Sequence, residues 1–158
     1  MHKALIVYYS RSGNTKKMAE AIAESIKKEN IEVSVQDVKE VSAEQLPAYD
    51  AIIMGSPTYY GTMAAELKKL LDDSVVFHGK LEGKIGAAFA SSANIGGGNE
   101  TTILDIINAM LIHGMIVQGD PRGDHYGAVS ISAPDERALQ QCRRMGSRIA
   151  ALIKKVSK

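Results

Sequence analysis

The sequence predicts an α/β fold: a five-stranded, doubly wound parallel sheet with helices on both faces, in three layers. Short apolar runs alternate with longer amphipathic segments, which is the pattern of repeated strand–helix units. The runs assigned to inner strands are apolar throughout, as expected of strands covered on both faces. Polar or glycine-rich loops follow three of these strands, and in a parallel sheet such loops meet at one edge.

The amino-terminal half predicts three strands and two helices. Its helical segments repeat apolar residues every three or four positions, which gives each of them one buried face. The second strand alternates apolar and polar residues, a pattern typical of a half-exposed strand at a sheet edge. The elements in order are a strand at 4–9, a helix at 14–29, the edge strand at 31–38, a strand at 51–55 and a helix at 62–72.

The carboxyl-terminal half predicts two more strands and two helices by the same criteria. A strand at 84–90 precedes a helix at 100–113, and a short strand follows at 115–118. The last helix opens at Ser132-Ala133-Pro134-Asp135, which combines a capping signal with an early proline. The sequence shows no linker or internal repeat, so we expect a single domain over residues 1–158.

Composition limits the classes of function. Of the 158 residues, 45% are apolar and 23% are charged, and the net charge of +1 provides no field for nucleic acid or a membrane surface. The single cysteine, Cys142, excludes an internal disulfide and a cysteine-based metal cluster. The four histidines share no metal-ligand spacing. The first apolar run is too short for a signal peptide, so we expect a cytoplasmic protein.

The most informative segment is the turn Ser10-Arg11-Ser12-Gly13-Asn14-Thr15, between the first strand and the first helix. Backbone N–H groups at a helix N-terminus bind phosphate, and three hydroxyls and a glycine complete such a site. Neither a Walker loop nor a dinucleotide fingerprint occurs in the chain. The turn therefore predicts a site for one terminal phosphate, although Ser, Asn and Thr are also ordinary helix caps.

Two further loops and one histidine complete the predicted site. The loop after the third strand carries two tyrosines that suit contact with a flat heterocycle, or that cover the end of the sheet. The loop after the fourth strand has three consecutive glycines, which permit close backbone approach to a ring edge or form a flexible surface loop. The candidate binding residues are Ser10, Arg11, Ser12, Gly13, Asn14, Thr15, Pro57, Thr58, Tyr59, Tyr60, Gly61, Ser91, Ser92, Ala93, Asn94, Ile95, Gly96, Gly97 and His113.

The phosphate turn and the whole strand–helix pattern resemble the flavodoxin-like family. Within it, residues 49–58, 91–100 and 112–115 are similar to the tryptophan-repressor-binding-protein group of NAD(P)H:quinone oxidoreductases. The resemblance implies the strand order 2-1-3-4-5 and bound FMN, with the phosphate on Ser10 to Thr15 and the ring against Thr58 to Gly61. It also implies a ring edge at Ser92 to Gly97, with His113 beside the flavin as a catalytic residue.

The resemblance has departures. The chain is shorter than usual members of that group, and Phe77 is the nearest substitute for a tryptophan that typically covers their site. The missing length lies between the second and third strands and after Gln118, in segments that help the group form tetramers, so a homodimer is expected here as an alternative to the tetramer. The implied partners are NAD(P)H and a quinone or another small electron acceptor, or redox proteins.

Two functions compete at this point. One is an FMN-dependent NAD(P)H dehydrogenase (quinone) that transfers two electrons, and the other is a flavodoxin-type carrier of single electrons. Residues 56–62 and 91–99 contain no Asp or Glu, whereas a carrier usually surrounds its flavin with carboxylates that disfavour the reduced anion. The absence of acidic residues favours the enzyme. A phosphate-binding receiver domain would need carboxylates at the strand ends, and the first strand ends in Tyr8-Tyr9-Ser10.

Overall fold

The computed structural model describes residues 1–156 as a parallel sheet of six strands between two layers of helices. The predicted domain also includes residues 157 and 158, which lie outside the described residues. None of the helices in the described part is long and apolar enough to cross a membrane. The strands are β1 (Lys3–Tyr8), β2 (Glu32–Asp37), β3 (Ala51–Pro57), β4 (Ile85–Ser92), β5 (Ile116–Val117) and β6 (Val129–Ile131). The helices are α1 (Asn14–Lys27), α2 (Ala65–Asp73), α3 (Asn99–Ile112) and α4 (Glu136–Val156), with short 3-10 turns at Val38–Glu40, Ala43–Ala48 and Ser74–Phe77.

The predicted strand order is confirmed: the sheet runs β2-β1-β3-β4-β5, and all its pairs are parallel. The strand count differs, because two short strands share the fifth position. β5 pairs with the start of β4, and β6 pairs with its end. The segment between β5 and β6 leaves the sheet, and the prediction of five strands missed the three-residue β6 after it.

The hydrophobic core lies in two layers, one on each face of the sheet. Buried residues of α1 and α4 pack on one face, and those of α2 and α3 pack on the other. α4 approaches α1 closely at Gly146, where a Cβ atom would lie 2.4 Å from the carbonyl oxygen of Ile22. This layered packing fixes where each helix begins and ends relative to the sheet edges.

Two helices begin later than the sequence predicts. α2 begins at Ala65, not at residue 62, because the preceding residues form a tight turn. α4 begins at Glu136, and the carboxylate of Asp135 caps it by accepting the N–H of Ala138 at 2.8 Å. Ser132, from the predicted capping segment, is therefore available for another role.

Candidate functional site

The turn between β1 and α1 is shaped by Gly13 and Ser10. Gly13 is the N-cap of α1 and has a left-handed φ of +91°, a conformation that favours glycine. The Ser10 hydroxyl oxygen accepts the N–H groups of Gly13 at 3.0 Å and Lys16 at 3.4 Å. The N–H groups of Asn14 and Thr15 have no acceptor within the helix, as at any helix start. The space beside the Gly13 Cα is open to 4 Å, so the turn presents donors to a free volume.

Thr15 joins this turn to the end of β4. Its side chain is buried, and its Oγ1 lies 3.0 Å from the Oγ of Ser91, with either hydroxyl able to donate. In the same region the Thr58 N–H donates to the carbonyl oxygen of Ser91 at 2.7 Å. These two hydrogen bonds connect the end of β4 with the start of α1 and with the end of β3.

The loop after β3 contains a two-residue turn that presents aromatic surface. Tyr59 and Thr62 exchange backbone hydrogen bonds of 2.8 and 3.2 Å. The residues between them, Tyr60 and Gly61, have φ values of +50° and +80°, which is typical of a tight hairpin turn. The side chain of Tyr60 is fully exposed. This turn ends the strand abruptly and holds an aromatic ring at the edge of the sheet.

Tyr59 is fixed by the neighbouring strand end. Its ring meets the Tyr9 ring edge-on, with centroids 6.2 Å apart, and the Lys39 ammonium lies 5.5 Å from the centroid of Tyr9. Burial, with a smaller contribution from Tyr9, raises the pKa of the Tyr59 phenol above its ordinary value.

The glycine-rich loop after β4 packs against the tyrosine turn. Gly98 is the N-cap of α3 with φ +106°, and a Cβ there would lie 2.9 Å from the Cα of Gly61. The hydroxyl of Thr102 donates to the Thr58 hydroxyl at 3.0 Å, and that of Thr101 donates to the Gly61 carbonyl. The glycine at position 98 thus permits the two loops to touch.

A pocket of about 310 Å³ lies between these segments, within the size range of small-molecule sites. It is lined mainly by hydroxyl groups and backbone at the carboxyl edge of the sheet. Among residues 1–156, its lining includes one arginine and no Asp or Glu. The lining residues are Arg11, Ser12, Asn14, Thr15, Pro57, Thr58, Tyr59, Ser91, Ser92, Ala93 and Ser132.

The structure brings the three predicted loops to one edge, as the parallel sheet requires. Ten of the predicted residues line the pocket itself. Ile95, Gly96 and Gly97 line a neighbouring groove on the outer side of the third loop, together with Glu100 and Arg137. Thirteen of the predicted residues therefore line two depressions at the carboxyl edge of the sheet.

Within one chain, the structure places His113 away from this pocket. α3 begins at the pocket edge and has 14 residues, so it carries the chain roughly 21 Å away. His113 is buried at the opposite edge, where its Nε2 lies 2.8 Å from the Ser74 Oγ and Gly114 accepts the N–H of Gly83. Burial lowers the pKa of His113, so its ring is neutral at pH 7.

Sequence reasoning missed Ser132 and the glycine that begins α3. Ser132 follows β6 and enters the pocket beside Ser92 and Ala93. The apolar residues at 128, 129 and 131 were the available signal for a strand ending there. No group of three or more His, Cys, Asp or Glu within residues 1–156 could hold a metal ion.

Comparisons with known proteins agree with this geometry. The family model described as "Flavodoxin domain" matches residues 5–100. A Sinorhizobium fredii protein named NAD(P)H dehydrogenase (quinone) is 37% identical over 198 residues, covering 99% of this chain and all of that protein. A Clostridium saccharobutylicum flavodoxin is 37% identical over 161 residues, covering 98% of this chain and 99% of its own. The solved WrbA-like flavodoxin of Agrobacterium tumefaciens is 26% identical, with a TM-score of 0.83 over 98% of this chain and 99% of its own.

Proposed function

The chain belongs to the flavodoxin family, and we propose that it is an FMN-dependent oxidoreductase that transfers two electrons from NAD(P)H to a quinone or a similar small acceptor. The observation that carries this proposal is the chemistry of the pocket lining. Among residues 1–156, the lining combines hydroxyl groups, backbone and one arginine, and it includes no Asp or Glu. Such a lining suits a ligand that enters with a phosphate and gains negative charge on reduction.

The residues at the α1 N-terminus fit a phosphate monoester. The N–H groups of Asn14 and Thr15 lack an acceptor within α1, the space beside Gly13 is open, and the helix dipole favours an anion there. The Ser12 hydroxyl and the Arg11 side chain line the same volume. We assign the phosphate to residues 10–15, with Ser10 shaping the turn from behind.

The two other loops fit a flat heterocycle. The Tyr59–Thr62 turn supplies aromatic surface, and Thr58 and Gly61 bring backbone close to the glycine-rich loop. The N–H groups of residues 94–96 have no acceptor within the described chain, and they are suited to donate to carbonyl oxygens at a ring edge. When bound, FMN supplies the redox chemistry, because none of the pocket side chains can accept electrons from a nicotinamide.

The protein contributes electrostatics and orientation to this reaction. Uncharged donors at the ring edge stabilise added negative charge without the repulsion that a carboxylate would introduce. Tyr59 presents an uncharged ring face, because the ordinary pKa of a tyrosine already lies well above neutral pH and burial raises it further. These features favour a cofactor that takes up and releases electrons in pairs.

A flavodoxin-type electron carrier is the second candidate, and chain length favours it. The Clostridium flavodoxin matches over 161 residues, close to the 158 of this chain. The match to the Sinorhizobium dehydrogenase extends over 198, so that protein contains segments that this chain lacks. The pocket lining distinguishes the two candidates, because a carrier would be expected to place acidic residues around the ring.

The test is steady-state oxidation of NADH and NADPH by FMN-loaded protein, with and without a benzoquinone. The enzyme proposal predicts turnover that depends on quinone and is abolished by removing FMN. A carrier would show no quinone-dependent oxidation of either nucleotide, although it would still bind FMN. Free FMN at the same concentration is the control for uncatalysed reduction.

The assembly state and location are part of the same proposal. We propose one FMN-binding domain over residues 1–158, located in the cytoplasm and assembled as a homodimer or a tetramer. Val75, Val76 and Ile112 support assembly, because they are each about 70% exposed and apolar. Light scattering on the purified protein tests the assembly, and a monomer at micromolar concentration would contradict it.

A further inference from the structure

Ser132, directly after β6, has a strained backbone conformation. Its φ of +58° lies in the left-handed region, where a residue with a Cβ is held at a cost of about 1–2 kcal/mol. It does not cap α4, because Asp135 does. Strain of this kind persists where the surrounding structure enforces it, and such positions cluster at binding sites.

The surroundings of Ser132 enforce its conformation through hydrogen bonds on two sides. The Ser132 N–H donates to the carbonyl oxygen of Ser92 at 2.7 Å, and its own carbonyl accepts the Ser130 hydroxyl at 3.0 Å. β6 is itself fixed by Asp124, whose carboxylate accepts the Val129 N–H at 2.9 Å and pairs with a neighbouring arginine. These hydrogen bonds therefore hold Ser132 in position before any ligand binds.

The Ser132 hydroxyl makes only a weak hydrogen bond within the described residues. Its nearest acceptor is the carbonyl oxygen of Ala93 at 3.5 Å, which is at the outer limit of a hydrogen bond. The residue is exposed and yet lines the pocket. A rotatable hydroxyl at a fixed position, with a weak internal bond, can turn toward a ligand at little cost.

The position of Ser132 identifies the part of the ligand that it would meet. Apart from the bond from Ser130, its hydrogen bonds are to Ser92 and Ala93, where the ring-edge loop begins, and none is to residues 10–15 at the phosphate end. The pocket joins both regions. A flavin mononucleotide carries three hydroxyls on the ribityl chain between its ring and its phosphate.

We infer that the Ser132 hydroxyl hydrogen-bonds the ribityl chain of the bound flavin, and that Ser132 makes the pocket selective for flavins that carry this polyol. The inference rests on the proposed FMN function and adds a fourth segment, the end of β6, to the site. It assigns a ligand contact to a residue whose strained backbone is held at the pocket edge by hydrogen bonds to Ser92 and Ser130.

The test compares three ligands that differ in their side chain: FMN, riboflavin, which lacks the phosphate, and lumiflavin, which lacks both phosphate and ribityl chain. Dissociation constants are measured by flavin fluorescence for the wild-type apoprotein and for Ser132→Ala. We expect Ser132→Ala to weaken FMN and riboflavin by the same factor, about 3- to 10-fold, and to leave lumiflavin unchanged. Ser12→Ala should weaken FMN alone, and Ser147→Ala, on the outer surface of α4, should change none of the three.

Ser132→Gly is the second variant, since it removes the hydroxyl and also relieves the strain. This variant should make the apoprotein more stable. Its affinity for riboflavin should nevertheless fall by the same factor as that of Ser132→Ala. Loss of FMN affinity alone would place Ser132 at the phosphate, and equal loss for all three ligands would make its role structural. Either result, or unchanged affinities, overturns the inference. Failure of the wild-type protein to bind FMN would instead overturn the proposed function.

Discussion

The hydroxyl pair formed by Thr15 and Ser91 gives a prediction that separates folding from ligand binding. Thr15→Val keeps the shape of the side chain and removes its hydroxyl from a buried contact of 3.0 Å. The Ser91 hydroxyl then loses its side-chain partner at a site that is only 5% exposed. Leaving a buried hydroxyl unsatisfied costs about 1–3 kcal/mol, so we expect the free energy of unfolding of the apoprotein to fall by that amount.

The same substitution should weaken FMN binding. When Ser91 donates to Thr15, the Thr15 hydroxyl proton is free to donate to a phosphate at the start of α1. Loss of this donor should reduce FMN affinity about tenfold, equivalent to roughly 1.4 kcal/mol. Ser12→Ala is the matched control, because the Ser12 side chain has no hydrogen-bond partner within the described chain. It should leave the apoprotein stability within about 0.5 kcal/mol and weaken FMN alone.

A double-mutant cycle tests the reasoning directly. Urea denaturation of the wild type, Thr15→Val, Ser91→Ala and the double variant should give a coupling of about 1 kcal/mol, because the second substitution removes the unsatisfied partner. FMN affinity is measured by titration for the same four proteins. Additive stability changes, or a Thr15→Val variant that binds FMN as tightly as the wild type, would refute this account of the contact.

Three further predictions concern the turn, the core and an ion pair. Gly13→Val should abolish tight FMN binding in titrations, because φ +91° disfavours a side chain and valine would fill the open space beside the helix start. Gly55→Ala should lower the urea midpoint strongly, because its Cβ would lie 2.0 Å from the Phe89 ring; a change below about 1 kcal/mol would contradict this. The Arg144 hydrogen bond holds the pKa of Asp120 below its ordinary value of 3.8, so this stabilisation is present at neutral pH and is lost as pH falls below that value. Asp120→Asn should therefore lower the free energy of unfolding, measured by urea denaturation, by less at about pH 3 than at pH 7. A loss of stability that does not depend on pH would contradict this.

The elements that position the site were largely predictable from the sequence. A fully apolar strand, a hydroxyl-rich turn and a strongly periodic helix specify residues 3–27 locally, and parallel sheet geometry then brings the three loops to one edge. The predicted strand and helix positions agree with the structure to within a few residues. Local pattern sufficed because each of these elements buries a continuous apolar face.

The errors arose where local pattern carries little information. β6 has three residues and depends on its long-range pairing with β4, in which Val129 lies opposite Ala90. The position of Ser132 could not be predicted without that strand. The expectation that His113 lies beside the flavin came from the family resemblance, and within one chain the 14 residues of α3 separate His113 from the pocket.

The central claim is that a single phosphate is bound by uncharged donors at the start of α1. A crystal structure of the protein grown with FMN tests this most directly. The account predicts phosphate oxygens about 3 Å from the backbone nitrogens of Ser12, Asn14 and Thr15 and from the Ser12 hydroxyl, with the ring against the Tyr59–Thr62 turn. Flavin bound with its phosphate in solvent, or bound at another surface with this turn empty, would contradict it.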